Sequence, residues 1–171
     1  NTLTVTAGTG TIDFLSTVGA APALSSLTIV SASVLNFDNT VDVAGNIDIP
    51  ADTVSIDNIV TTTANGTVEI TNGAVLTIVA PGDMNLDGSF TQNGVGTVTT
   101  SGDVTTTDDN ISFATAITLG GAVALSSGGG GGNISSSGAI DGGNTLTVTA
   151  GTGTIDFLST VGAATALTSL T

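Results

Sequence analysis

The stretch GTVEITNGAVLTIVAPGDMNLDGSF, residues 66–90, carries the pattern that predicts the fold of this chain. It opens on Gly66-Thr67-Val68 and returns to the same kind of tripeptide at Gly88-Ser89-Phe90. Between them, Val68-Glu69-Ile70 and Val75–Val79 alternate apolar and polar residues. A period of two places apolar side chains on one face of a strand and polar side chains on the other. We therefore expect short strands separated by turns rich in Gly, Asn and Asp.

The tripeptide, which joins Gly, a small polar residue and an apolar residue, recurs along the chain at a regular step of about 22 residues. Its further copies begin at Gly45, Gly132 and Gly153, with the variant Asp109-Asn110-Ile111 between them. A constant step with two or three strands predicts an all-β parallel β-solenoid, because one coil cannot bury its apolar face alone. An earlier copy begins at Gly10, and the longer interval from there to Gly45 would hold either two shorter coils or one coil with an excursion.

Residues 1–28 occur a second time as residues 144–171. Only Pro22/Thr165 and Ser25/Thr168 differ between the two copies. The repeat predicts that residues 1–143 form one complete unit of a tandem array and that residues 144–171 begin the next unit, with the same conformation in both copies. At about 22 residues per coil, a unit would contain roughly seven coils and rise about 34 Å.

The composition excludes several classes of function. The chain has 14 acidic residues and no Lys, Arg or His, which gives a formal charge of −14. Nothing in it can neutralise phosphates, so we expect no nucleic-acid partner and no attraction to anionic membrane surfaces. No apolar run approaches the length of a membrane-spanning helix, so we expect no membrane insertion in this segment. Straight-chain helix formers are nearly absent, and only residues 15–27 leave room for a short helical turn. Five aromatic residues are expected to fill the core: Phe14, Phe37, Phe90, Phe113 and Phe157.

One motif is typical of a calcium site. Asp83, Asn85 and Asp87 precede Gly88 in the order D-x-N-x-D-G, which opens the calcium loop of an EF-hand. The twelfth position of such a loop should be acidic, but here it is Gly94. The alternative is a polar turn between coils, in which the Asp and Asn side chains bind nearby backbone groups.

Three other patterns have a structural and a functional interpretation. Asp108-Asp109-Asn110, with Asp103 nearby, could hydrolyse a polysaccharide through paired carboxylates, although an exposed acidic turn is the simpler interpretation. Thr-x-Thr runs such as Thr97-Val98-Thr99 could bind ice on a flat solenoid face, but they do not recur at the step of the coils. The glycine run at residues 128–132 predicts a wide or protruding turn.

Residues 102–164, GDVTTTDDNISFATAITLGGAVALSSGGGGGNISSSGAIDGGNTLTVTAGTGTIDFLSTVGAA, resemble the repeats of large bacterial surface proteins of the filamentous haemagglutinin and autotransporter-adhesin type. The resemblance extends over essentially the whole chain. It implies a right-handed parallel β-helix, secretion to the cell surface, and an adhesive or structural role. Its motifs are low in complexity, so no functional residue can be carried over.

These observations together lead us to expect a non-enzymatic extracellular structural repeat protein that forms a stiff stalk or filament for cell-surface adhesion or matrix. Its partners would be adjacent repeats joined end to end, with cell-surface or matrix contacts, and it would need no cofactor. The alternative is a calcium-dependent adhesin in which acidic coils bind divalent cations. A carboxylate-based polysaccharide hydrolase and an ice-binding solenoid are the third candidates.

Overall fold

The computed structural model describes all 171 residues and confirms the parallel β-solenoid. The chain forms 19 strands and no helix, and every strand pair between successive coils is parallel. Register partners on neighbouring coils are separated by 19 to 25 positions, as in Val41↔Val60 and Thr6↔Ser31. The strands lie on three faces, which we name A, B and C in the order in which the chain first reaches them.

Face A contains the first strand of each of the eight coils. Its strands are β1 (Thr2–Thr6), the first half of β3 (Ser26–Phe37), of β5 (Ile47–Ile56) and of β7 (Val68–Ile78), then β9 (Phe90–Gln92), β12 (Ile111–Phe113), β15 (Ile134–Ser136) and β18 (Ile155–Phe157).

Faces B and C complete each coil. Face B consists of β2 (Thr11–Phe14), the second halves of β3, β5 and β7, and then β10 (Thr97–Thr100), β13 (Ile117–Leu119) and β16 (Ile140–Asp141). Face C consists of β4 (Val41–Val43), β6 (Val60–Thr62), β8 (Met84–Leu86), β11 (Val104–Thr106), β14 (Val123–Ser126), β17 (Thr145–Thr149) and β19 (Ser169–Leu170).

The core lies inside the three faces and is continuous along the rod. Alternate strand residues point inward, so 34 buried apolar residues form one cluster. Phe37, Phe90 and Phe113 are fully buried, and the Phe90 and Phe113 ring centroids lie 5.1 Å apart. Phe14 and Phe157, on the terminal coils, are half-buried and pack against the same cluster. Each fully buried side chain of this size contributes about 1.5–3 kcal/mol, so the interior rather than the corners holds the coils together.

The recurring tripeptide marks the corner between faces C and A. At this corner successive coils approach so closely that a Cβ on Gly66 would overlap the Gly45 carbonyl oxygen. The polar residue that follows the glycine can tie one coil to the next: the Thr67 amide donates to Asn46 Oδ1 over 3.1 Å, and the Thr154 amide donates to Asn133 Oδ1 over 2.8 Å. The motif therefore reflects a steric requirement followed by an inter-coil hydrogen bond.

The corner between faces A and B differs from the expectation of short separate strands. β3, β5 and β7 run through this corner without a break, and the register shifts there, as between Ala51 and Thr53 of β5. An extra residue in a strand bends it sharply while leaving its neighbours paired. The predicted segments Val68–Ile70 and Val75–Val79 therefore belong to one bent strand, which ends at Ile78.

Two expectations about residues 10–45 need correction. Gly10 lies at the corner between faces A and B, because Thr11 pairs with Val34 on face B, whereas Gly45 lies at the corner between faces C and A. The long interval between these glycines therefore joins different corners of the coil. No helical turn forms within residues 15–27; Val18 and Leu24 instead make isolated parallel bridges to Val41 and Val43.

The two copies of the repeat form the same local structure on different faces. Thr2 pairs with Ser26 in the first copy, and Thr145 pairs with Ser169 in the second. However, Thr2–Thr6 lies on face A, whereas its counterpart Thr145–Thr149 lies on face C. The first copy begins on face A of the first coil, and the second copy begins 6⅔ coils later, on face C of the seventh coil. One sequence repeat therefore spans 6⅔ coils and not seven, which gives about 21.5 residues per coil.

Candidate functional site

The predicted calcium motif forms a strand rather than a loop. Met84–Leu86 is strand β8, and Asp83 and Asp87 flank its two ends. A strand rises about 3.3 Å per residue, so the backbone at these two residues is about 13 Å apart. Asn85 lies between them and is exposed on face C. The structure thus spreads the three side chains along an edge of the coil instead of wrapping them around one point.

Asp83 and Asp87 both accept hydrogen bonds from backbone amides of neighbouring coils. The Asp103 amide donates to Asp83 Oδ1 over 2.9 Å, and the Asn65 amide donates to Asp87 Oδ2 over 2.7 Å. Asp103 continues the series, because its Oδ1 accepts from the Ala124 amide over 2.7 Å. The two aspartates thus bind backbone groups, as the alternative interpretation expected of Asp and Asn, but they do so across coils at the ends of a strand and not within one turn. No group of three or more acidic side chains is gathered closely enough to hold a metal ion.

The acidic residues of the second candidate site lie at two different corners. Asp103 precedes strand β11 at the corner between faces B and C, whereas Asp108 and Asp109 follow that strand at the corner between faces C and A. Asp108 has a φ of +63° and accepts a hydrogen bond from the Gly130 amide over 2.5 Å. The glycine run at residues 128–132 is a wide turn stacked on this aspartate.

Asp48 and Glu69 form a like-charged pair on face A. They are register partners on adjacent coils, and both side chains are exposed. Desolvation by partial burial, and then the negative charge of Glu69, raise the pKa of Asp48 above its ordinary value. Glu69 is held in place by Asn93, whose Nδ2 donates to Glu69 Oε1 over 2.6 Å. The pair is a point of repulsion between two coils in a chain without side-chain cations.

A groove of about 460 Å³ runs across the first five coils at the corner between faces A and B. Asp52 is the only carboxylate in its lining, which also includes Thr71 and Asn93. Val95 stands at the groove and is 85% exposed. The groove offers hydroxyl, amide and carboxylate groups, but it does not bring together the two carboxylates that glycoside hydrolysis requires.

A buried polar network supports this groove, and sequence reasoning missed it. Asn72 and Gln92 are fully buried on adjacent coils, and Gln92 Nε2 donates to Asn72 Oδ1 over 2.7 Å. Gln92 Oε1 accepts from the Ala114 amide over 3.0 Å, while Asn72 Nδ2 donates to the Thr97 carbonyl over 3.2 Å. The sequence did indicate a buried amide, because Gln92 is the only Gln of the chain and occupies an inward position of an alternating strand.

A ladder of hydroxyl side chains on face B was also missed. Ser55, Thr77, Thr99 and Thr118 occupy equivalent positions on four consecutive coils. The Thr-x-Thr runs, by contrast, lie on different faces: Thr97–Thr100 is on face B and Thr145–Thr149 on face C. Counting one coil length from the centre of each strand, rather than searching for runs, would have found the ladder.

Comparisons with known proteins add no relative to this picture. No family model, curated protein or solved structure matches the chain. The resemblance to repeats of bacterial surface proteins therefore stays a prediction. The strand-only fold contains no helix of the length and apolarity that crossing a membrane requires.

Proposed function

We propose that this chain is part of a non-enzymatic extracellular repeat protein whose stacked coils form a stiff stalk or filament for cell-surface adhesion or matrix. One observation carries the proposal. Strand β17 of the second copy pairs with β14, near the end of the first unit, over four residues, from Val123↔Leu146 to Ser126↔Thr149. The second copy thus extends the same rod and the same core instead of starting a separate body.

The geometry of the rod supports a mechanical role. Every coil pairs only with the coil before it and the coil after it, so added units lengthen the rod without changing its cross-section. The hydrogen bonds between coils run along the axis, as between the Met84 amide and the Asp103 carbonyl. Bending the rod would stretch these bonds and open the core, which makes the stack stiff.

The chemistry of the side chains supports a structural rather than a catalytic role. The ionisable side chains are 13 Asp and one Glu, and they are distributed over all three faces and the corners. Asp83, Asp87 and Asp108 already accept backbone amides from neighbouring coils, so each joins two coils. Residues of this kind strengthen a stack without forming a reaction centre.

The test is the length of arrays built from different numbers of the repeat unit, residues 1–143. Arrays of two, four and eight units should appear in electron micrographs as rods that lengthen by about 32 Å per unit, from 6⅔ coils at about 4.8 Å each. A matched array with Gly66→Val in every unit should lose the rod shape, because the added side chain meets the Gly45 carbonyl. Compact particles, or lengths that do not grow in proportion to unit number, would contradict the proposal.

The second candidate is a calcium-dependent adhesin, and the acidic residues stacked on adjacent coils favour it. Asp83 and Asp103 form one such pair, and Asp48 and Glu69 form another. A divalent cation bridging a pair would replace repulsion by attraction between the two coils. Calorimetric titration with calcium should then show binding that Asp83→Asn weakens and that Asp156→Asn, on face A, leaves unchanged. Equal binding by both variants, or none by the wild type, would remove this candidate.

A further inference from the structure

We infer that each unit of the array docks onto the preceding unit turned by one face, a third of a turn about the axis, so that the same surface is displayed in three directions along the rod. The partner at this interface is a second copy of the unit, and its docking strand is Thr2–Thr6 or its equivalent. The inference rests on the proposed tandem array and specifies how its units join.

The evidence is the position of the second copy in the three ladders. All three segments of the repeat move by one face in the same direction between copies. Thr2–Thr6 lies on face A and Thr145–Thr149 on face C; Thr11–Phe14 lies on face B and Ile155–Phe157 on face A. The third segment behaves likewise, since Val18 bridges to face C and its counterpart Val161 bridges to face B.

The shift is possible because one turn sequence can form two different corners. Residues 7–10 and residues 150–153 are both Ala-Gly-Thr-Gly. The first turn joins face A to face B, and the second joins face C to face A. Their backbones agree: Gly8 and Gly151 have φ values of +61° and +54°, and the glycine amide at the end of each turn donates to the alanine carbonyl at its start, over 2.9 and 2.7 Å. The same turn can therefore form two of the three corners of a coil, as a shift by one face requires.

The shift gives the array a longer period than its sequence repeat. Since one unit advances 6⅔ coils, three units together advance a whole number of coils, about 20. At about 4.8 Å per coil, a surface feature returns to the same side of the rod after about 96 Å. The groove and the hydroxyl ladder would thus face any one direction only once in three units, and a flat target surface would meet every third copy.

The test measures distances within the full chain, which has no native cysteine. Thr61 on face C and Thr149 of the second copy are linked by four register steps, through Asn85, Thr105 and Ser126. Spin labels on Thr61→Cys/Thr149→Cys should therefore be separated by the coil spacing alone, about 19 Å before the label linkers. Thr28→Cys/Ser112→Cys is the matched control, because those residues are also four steps apart, on face A.

Equal mean distances for the two pairs would support the one-face turn, and a clearly longer distance for Thr61/Thr149 would overturn it. If Thr61→Cys does not fold, Asn85→Cys/Thr149→Cys tests the same ladder over three steps. This result does not depend on whether long arrays form. If the arrays form rods but Thr61 and Thr149 are too far apart, the rotation of units by one face is refuted and the stalk proposal stands. If the two distances are equal but no rods form, only the stalk proposal is refuted.

Discussion

Single side chains decide how each coil closes. Thr62, the last residue of β6, and Ser127, the residue after β14, have buried hydroxyl groups that donate to the Gly66 and Gly132 carbonyls, each over 2.6 Å. The Ser127 hydroxyl gives the Gly132 carbonyl a partner, and the Thr62 hydroxyl adds a second donor to the Gly66 carbonyl, which also accepts from the Gly88 amide. No buried side-chain nitrogen or oxygen of the chain lacks a hydrogen bond. The buried hydroxyl groups inside the rod therefore help to stabilise its corners.

The repulsion between Asp48 and Glu69 predicts a stabilising substitution. Because the pKa of Asp48 is raised in the folded chain, the folded state holds this proton more tightly than the unfolded state. Stability from this group is present at low pH and is lost as pH rises through the raised pKa. Asp48→Asn should therefore increase the free energy of unfolding at pH 7 by a few tenths of a kcal/mol, about 0.5 at most.

Urea denaturation at about pH 7 and about pH 3 measures this difference. The gain should vanish at about pH 3, below the ordinary Asp pKa of about 3.9. Asp42→Asn is the control, because the register partner of Asp42 on the next coil is the uncharged Thr61. A gain for Asp42→Asn as large as that for Asp48→Asn would show that only the overall charge matters.

The Gln92–Asn72 bond predicts a large loss on removing one partner. Gln92→Leu keeps the volume but leaves Asn72 Oδ1 buried without its donor, so we expect a loss of about 1–3 kcal/mol. Replacing both residues by Leu should cost less than the sum of the single substitutions, because no unpaired group remains between them. Thr91→Ala, on the outward side of the same strand, should change stability by less than about 0.5 kcal/mol. Additive losses would show that the hydrogen bond is unimportant.

At the scale of strands and turns, glycines have unequal roles. At Gly45 and Gly66, on the corner between faces C and A, the preceding coil leaves no space for a side chain, whereas Gly129 and Gly131 in the glycine run have nothing within 4 Å. Bulges at the other bent corner allow strands to continue through it, so no glycine step is needed there in β5. Two corners of the same coil are thus formed by different means.

This inequality predicts opposite results for two alanine substitutions. Gly66→Ala places a Cβ against the Gly45 carbonyl oxygen and should destabilise the fold by about 1–3 kcal/mol. Gly131→Ala meets nothing within 4 Å and should be neutral or slightly stabilising, because alanine restricts the unfolded chain. Thermal unfolding of both variants measures the contrast. Equal effects would mean that the coils at Gly66 have room for a Cβ atom.

The whole molecule is a rod with negative charge on every side. Its 14 side-chain carboxylates have no side-chain cation to pair with, so they repel one another along the whole rod. The stacked coils remain folded despite this repulsion because the contacts that stabilise the stack are apolar and lie in the core. The surface and the core therefore have opposite effects on stability.

Screening this charge should stabilise the rod. We expect the melting temperature to rise with sodium chloride and to rise further with calcium or magnesium at equal ionic strength. Acidification toward the isoelectric point of about 4.1 should promote association, because the net charge then approaches zero. Calorimetry and light scattering measure these effects. A melting temperature that does not respond to either salt would contradict the role of charge repulsion.

The alternating strands, the regular step between coils and the charged exterior could be derived from the sequence, because side-chain period and steric exclusion at glycines such as Gly66 are local properties. The sequence also showed that residues 144–171 repeat residues 1–28. It could not show that the copies lie on different faces, since that depends on the lengths of all the turns between them, including the wide turn at residues 128–132.

Tertiary structure alone also decided the geometry of the calcium motif and of the buried amides. Asp83, Asn85 and Asp87 have the spacing of a loop, but pairing of β8 with β6 and β11 extends them as a strand. Gln92 and Asn72 are distant in sequence and meet only because one coil lies on another. Local alternation fixed which residues point inward, and the accumulated register of eight coils fixed which of them meet.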